Sequence, residues 1–186
     1  MGIIVGLPCS GGSEKDLQLN FGKVMAQQTE MRAPFLPAEW YPQSGVQLTW
    51  PHAGTDWAYM LDEVQECFVN IANEIAKREL LLIVTPEPEE VKKQIAATVN
   101  MENVRFLKCG TNDTWARDHG AITMIDVDAP SLLDFTFNGW GLKFASDLDN
   151  QITRRAIENG VLKGRYVNRL RSEERRVGKE CRSRWS

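Results

Sequence analysis

ELLLIVTPEPEEVKKQI, residues 79–95, changes its pattern halfway along, and that change sets the fold class. Leu80 to Val84 are all apolar, which suits a short strand covered on both faces, as in a parallel sheet. Thr85 and Pro86 then open a helix, with Glu87, Glu89 and Glu90 at the end where the helix dipole favours negative charge. Val91, Ile95 and Val99 fall on one side of that helix and form its expected core face. A buried strand followed at once by an amphipathic helix is the repeating unit of an α/β protein.

The pattern continues in both directions. VQLTW (46–50) is a strand, Pro51 and Gly54 turn the chain, and Thr55 is placed to cap a helix. That helix carries Trp57, Leu61, Val64, Phe68, Ile71 and Ile75 at three- and four-residue spacing. Downstream, NVRFLKC (103–109), AITMIDV (121–127) and LLDFTF (132–137) are three further strands, the last two joined by a turn containing Asp128 and Pro130. A final helix is expected over 147–159, ended by Gly160. The order βαβα followed by βββα gives an α/β class with mixed strands.

The 186 residues, 42% of them hydrophobic, can bury the core of one domain or of part of a larger one. Nothing approaches the roughly 20 apolar residues of a membrane span, and the N-terminus lacks signal-peptide character, so the expectation is a soluble, cytoplasmic protein with no membrane partner. Cys9, Cys67, Cys109 and Cys181 are scattered, with neither disulfide nor zinc spacing, so no metal site is expected. The last sixteen residues, RSEERRVGKECRSRWS, hold six basic and three acidic groups and no apolar period. They read as a foreign, vector- or adaptor-like tail, 171–186. Set apart from totals of 22 basic and 25 acidic groups, they leave 16 against 22, a net of −6 that argues against nucleic acid and suits a cationic ligand.

Residues 1–30 read as a leader. Within it, GIIVGLPCSGGS resembles a strand entering a phosphate loop: Gly6, Gly11 and Ser13 fit, but Gly12 stands where the phosphate-reaching lysine belongs.

TNDTWARDH (111–119), on the carboxyl end of the 103–109 strand, crowds unlike side chains where α/β proteins place ligands. The Asp118 carboxylate matches the paired N–H groups of a guanidinium, and Trp115 three residues earlier can lie against the same planar cation. Arg117 is placed to hold a neighbouring acid, and Asn112 to support the loop. A structural turn with a core-lid tryptophan and an ion pair accounts equally for these residues. His119 reads as structural, and Cys109 as a small buried thiol. FNGWGLKF (137–144) offers Asn138 and Trp140 as a second wall; its G-x-G lacks the third glycine of a dinucleotide fingerprint.

LPAEWYPQSGVQLTWPH (36–52), TDW (55–57), NDTWARDHGAI (112–122) and FNGWGLKF together resemble the agmatine deiminases and their relatives, the bacterial-type peptidylarginine deiminases. Order and spacing agree from about Met31 to Leu170, so 31–170 is expected to be the N-terminal part of a deiminase domain. The resemblance implies a pentein-type α/β (α+β) fold, a propeller of five ββαβ modules of which this chain holds roughly the first two. It implies attack by a cysteine thiolate on the guanidinium carbon, loss of ammonia and hydrolysis by histidine-activated water. Agmatine would yield N-carbamoylputrescine on the way to putrescine, with no metal or organic cofactor. By position, Asp118 matches one of two acids that clamp the guanidinium, and Trp115 an aromatic wall; Asn112, Arg117, Asn138 and Trp140 are candidate pocket or support residues. The full-length family also leaves room for a homo-oligomer. None of the four cysteines and neither histidine matches the family's nucleophile or base, so the expectation is a truncated, inactive chain. Peptidylarginine deimination is the alternative within this chemistry, and a non-catalytic α/β binding module for a cationic ligand is the alternative outside it.

Overall fold

The computed structural model describes residues 2–4, 33–126 and 129–169. The near-match to a phosphate loop, the tail, the leader beyond Gly2–Ile4 and the turn at Asp128 lie outside the described residues.

Two sheets are present. In the first, β1 (Gly2–Ile4) runs antiparallel to β2 (Gly45–Thr49), and β2, β3 (Leu80–Thr85) and β4 (Val104–Lys108) run parallel in that order. Helices α1 (Leu61–Ala76) and α2 (Pro88–Ile95) make the two crossovers. In the second sheet, β5 (Ile122–Met124) pairs antiparallel with β6 (Ser131–Phe135). The third helix, α3 (Ala116–His119), lies in the connection between sheets, and α4 (Ile152–Glu158) carries the chain to β7 (Arg165–Arg169), which is parallel to β6. The second sheet is thus a ββαβ unit. The first repeats that order through β1, β2, α1 and β3 and then adds α2 and β4.

Burial explains the apolar run at 80–84. Leu81 and Ile83 face α1 and α2, packed with Val46, Leu48, Trp50, Ala72, Ile75, Val91, Ile95 and Val99. Leu82 and Val84 face the other way and pack with Leu107, Cys109, Ile152 and Ala156, so α4 of the second unit covers the reverse side of the first sheet. Alternate side chains on a strand point to opposite faces, and here both faces are dry.

Several boundaries differ from expectation. Thr55 does not cap α1: its hydroxyl donates to the His52 carbonyl in a turn, a 3-10 turn over Ala58–Met60 intervenes, and the helix starts at Leu61. Helix α2 starts two residues late, with Pro88 rather than Pro86 in its first turn, because Thr85 still pairs within β3 while its hydroxyl accepts the Glu87 N–H. The strand at 121–127 is reduced to Ile122–Met124 plus a bridge from Ile125 to Phe35. Strand β7 had no expectation at all, since RYVNR alternates too weakly to be read as one. Gly160 ends α4 in the left-handed region (φ 68°), as glycine readily does. Among the described residues no helix is long and apolar enough to cross a membrane.

Leu81 has no exposed surface and sits at the centre of the first core. Leu81→Ala is expected to lower the unfolding free energy by about 2–5 kcal/mol, read as a lower urea midpoint.

Candidate active site

The loop after β4 is tied down from three sides. From below, Asn112 and the 147–149 segment exchange hydrogen bonds. The Asn112 N–H donates to the Asp149 carboxylate at 2.7 Å, the Asp113 N–H reaches the same oxygen at 3.5 Å, and the Asn112 side-chain carbonyl accepts from the Leu148 and Asp149 N–H groups at 2.8 and 3.1 Å. The Asn112 amide also donates to Asp147 at 3.2 Å. From the β2 side, the Gly54 N–H donates to His52 Nδ1 at 3.1 Å, which in the neutral ring leaves Nε2 to donate to the Thr111 hydroxyl at 2.9 Å. Trp57 Nε1 donates to the Thr114 hydroxyl at 3.0 Å.

The third tie comes from α3 itself. Ala116 and His119, three apart, are buried, and His119 Nε2 lies 3.3 Å from the Thr49 hydroxyl of β2. Trp115 immediately precedes the helix as its N-cap residue, and Asp118 lies within it, beside the buried His119. Trp115 is 44% exposed and Asp118 half-buried. Gly120 closes the turn against the Ala116 carbonyl, where a Cβ would come within 2.5 Å.

Burial sets the electrostatics of the loop. Asp149 is fully buried, and desolvation raises its carboxyl to about 6, with the charges of Asp113 and Asp147 adding to the rise and the Asn112 and Asp113 N–H groups opposing it. Asp113 is also pushed up, mainly by burial and further by Asp56, while it accepts the Thr114 N–H at 2.8 Å. Burial raises the Cys109 thiol as well; its sulfur points at the Gly110 carbonyl, an environment that disfavours the thiolate a nucleophile requires.

FNGWGLKF forms the neighbouring wall by an unusual route. Gly139, Trp140, Gly141 and Leu142 all have positive φ, of 58°, 54°, 82° and 63°, so the chain makes one left-handed turn. Asn138 stabilises it by accepting the Gly141 N–H at 3.0 Å. Left-handed backbone costs about 1–2 kcal/mol at each non-glycine residue. That strain turns Trp140 toward the loop: its ring meets Trp115 edge-to-face at 6.2 Å between centroids, and also Phe137 at 5.0 Å and Phe144 at 5.7 Å. Trp57 lies 6.3 Å from Trp115 on another side.

Of the expected residues, Trp115 and Trp140 meet ring to ring, and Asp118 stands three residues from Trp115 on α3. Asn112 and Asn138 are spent on backbone hydrogen bonds. Arg117 is exposed and, among the described residues, forms no ion pair with an acid, contrary to the expectation that it holds one. Trp57, expected on the helix face, lies before the helix and supports the loop. Asp149 and Thr111 gave no sequence signal, since their partners are tens of residues away. No group of three or more metal-ligating side chains occurs among the described residues. The surface groove lined by Glu63, Cys67, Ile71 and Arg78 runs along α1 and includes none of these loop residues.

The profile of the Porphyromonas-type peptidyl-arginine deiminases matches residues 35–173. The agmatine deiminase of Pseudomonas syringae pv. tomato is 30% identical over 130 residues, covering 66% of this chain and 34% of that protein. A C. jejuni agmatine deiminase, a cysteine-to-serine variant with substrate bound, superposes with a TM-score of 0.65 at 31% identity over 73% of this chain and 40% of that one. A provisionally named arginine deiminase from Porphyromonas gingivalis gives 0.63 at 44% identity, over 74% and 41%. The chain therefore spans about a third of the length of the curated relatives it matches. The matched part of this chain corresponds to about two-fifths of each of these solved neighbours.

At Gly139 a Cβ would lie 2.1 Å from the Phe144 carbonyl oxygen, at positive φ. Gly139→Ala is expected to undo the left-handed turn, flattening the near-ultraviolet circular dichroism of the tryptophan cluster and lowering stability by at least about 1–2 kcal/mol.

Proposed function

The chain belongs to the Porphyromonas-type peptidyl-arginine deiminase family, and we propose that it supplies the substrate-holding part of an enzyme that hydrolyses the guanidinium of agmatine to N-carbamoylputrescine and ammonia. One observation carries the reading: α3 is pinned through His119, with Trp115 exposed just before it and Asp118 half-buried within it. A planar cation can lie against the Trp115 ring while its N–H groups donate in parallel to the Asp118 carboxylate. Trp140 bounds the same surface and narrows it to a flat ligand.

These residues bind and orient; they do not attack. The reaction needs a thiolate at the guanidinium carbon and a base to activate water. Cys109 is buried with its thiol pushed up, and Cys67 is on α1, outside the loop. His119 is engaged with Thr49 and His52 with Thr111 and Gly54. Among the described residues no cysteine or histidine is placed as nucleophile or base, which supports reading the chain as the cation-holding part of a longer cytoplasmic enzyme of this family.

Agmatine is favoured over peptidyl-arginine by the C. jejuni neighbour, whose described state is an agmatine deiminase with substrate bound. Calorimetry at neutral pH is expected to show agmatine binding to the chain, weakened about tenfold or more in Asp118→Ala through loss of a charge-assisted pair. Equal binding by the variant would remove Asp118 from the site, and tighter binding of an arginine-containing peptide would move the substrate to peptidyl-arginine. No ammonia release from agmatine is expected from the chain alone; measurable release would place a nucleophile within it.

A further inference from the structure

We infer that Asp149 is a positioning residue for the loop that carries Trp115 and Asp118, its carboxylate gripping the loop's Asn112 and Asp113 N–H groups from beneath. The inference rests on the assignment of that loop to the substrate. The geometry is reciprocal: the carboxylate takes the loop's two N–H groups, and Asn112 returns its carbonyl to the Leu148 and Asp149 N–H groups. Asp149 touches neither Trp115 nor Asp118 in any of these bonds, so it acts through Asn112 and Asp113, which stand three and two residues before Trp115.

A carboxylate is a stronger acceptor than a carboxylic acid, so the grip depends on Asp149 being ionised. The groups that face it are Asp113 from the loop, Asp147 from its own segment and Cys109 at the end of β4, which in turn lies within reach of Arg155 on α4. Both acidic neighbours disfavour ionisation, as does burial. The sign is as follows. The folded carboxyl is raised from 3.8 to about 6, so folding favours the protonated form, and Asp149 contributes stability that is lost as pH rises through about 6. The grip on the loop follows the opposite course and is complete only above that pH. A buried acid that weakens the fold where it best orders the loop is the pattern expected of a residue kept for the site.

The test follows the intrinsic tryptophan emission of the ligand-free 186-residue chain from pH 4.5 to 8, together with hydrogen exchange at the 111–115 amides. Wild type is expected to show an emission transition centred near pH 6, with protection at Asn112 rising through the same range beyond the intrinsic pH dependence of exchange. Asp149→Asn keeps an acceptor oxygen of the same shape and should lose the transition. His52→Gln controls for the histidine hydrogen-bonded to Thr111 and should keep it. A transition that survives in Asp149→Asn, disappears in His52→Gln, or is absent from wild type overturns the inference. If Asp149→Asn fails to fold, wild-type exchange and His52→Gln still decide. Because the readout contains no ligand, a failure of agmatine binding leaves it untouched, and loss of the transition leaves the substrate reading untouched.

Discussion

A single strand buried on both faces organises this protein. Leu81 and Ile83 of β3 need cover from α1 and α2, while Leu82 and Val84 need cover on the reverse side. Among the described residues the first unit has no further element to provide that second cover. Ile152 and Ala156 of α4 supply it, so the second ββαβ unit must fold back on the first. This docking brings the 147–149 segment under the loop that leaves β4. The site is thus a by-product of where the apolar surface of one strand has to go.

Around that loop the local rules are broken in a concentrated way. Two non-glycine residues sit in left-handed backbone, and two carboxyls, Asp113 and Asp149, are buried with raised proton affinity. Either feature would be costly in an ordinary turn. Here each has an identifiable return: the left-handed turn aims Trp140 at Trp115, and the buried acids order the backbone that leads to Trp115 and Asp118. Strain and buried charge that accumulate at one end of a sheet are more economically explained by a ligand than by the fold.

Much of the fold was legible because it rests on short-range patterning. The run Leu80–Val84, the apolar positions Val91, Ile95 and Val99, and the strand Val104–Lys108 announce themselves by period and composition, and Leu81 to Val84, Val91, Ile95, Val99, Val104 and Leu107 lie in the core. Helix starts were misplaced by a few residues because Thr55 and Thr85 bond within turns and strands before a helix can use them. Strand β7 was missed because its pairing with β6, rather than any apolar alternation of its own, makes it a strand.

The candidate site divides along the same line. Sequence alone determined that TNDTWARDH follows a strand's carboxyl end and that Trp115 and Asp118 have the chemistry to meet a planar cation, since residue type and position are local properties; it reads the whole stretch as loop, whereas Ala116–His119 form α3. Tertiary structure decided which loop residues face outward, because the Thr49–His119 contact, 70 positions apart, fixes the rotation of α3. It also gave Asn112 and Asn138, candidates for pocket or support, the supporting role of backbone clasps, and brought in Asp149, Trp57 and Thr111. Their roles depend on hydrogen bonds across 36 to 59 positions of chain: docking of the second unit brings in Asp149, while the pairing of β2, β3 and β4 in the first sheet brings Trp57 and His52 to the loop.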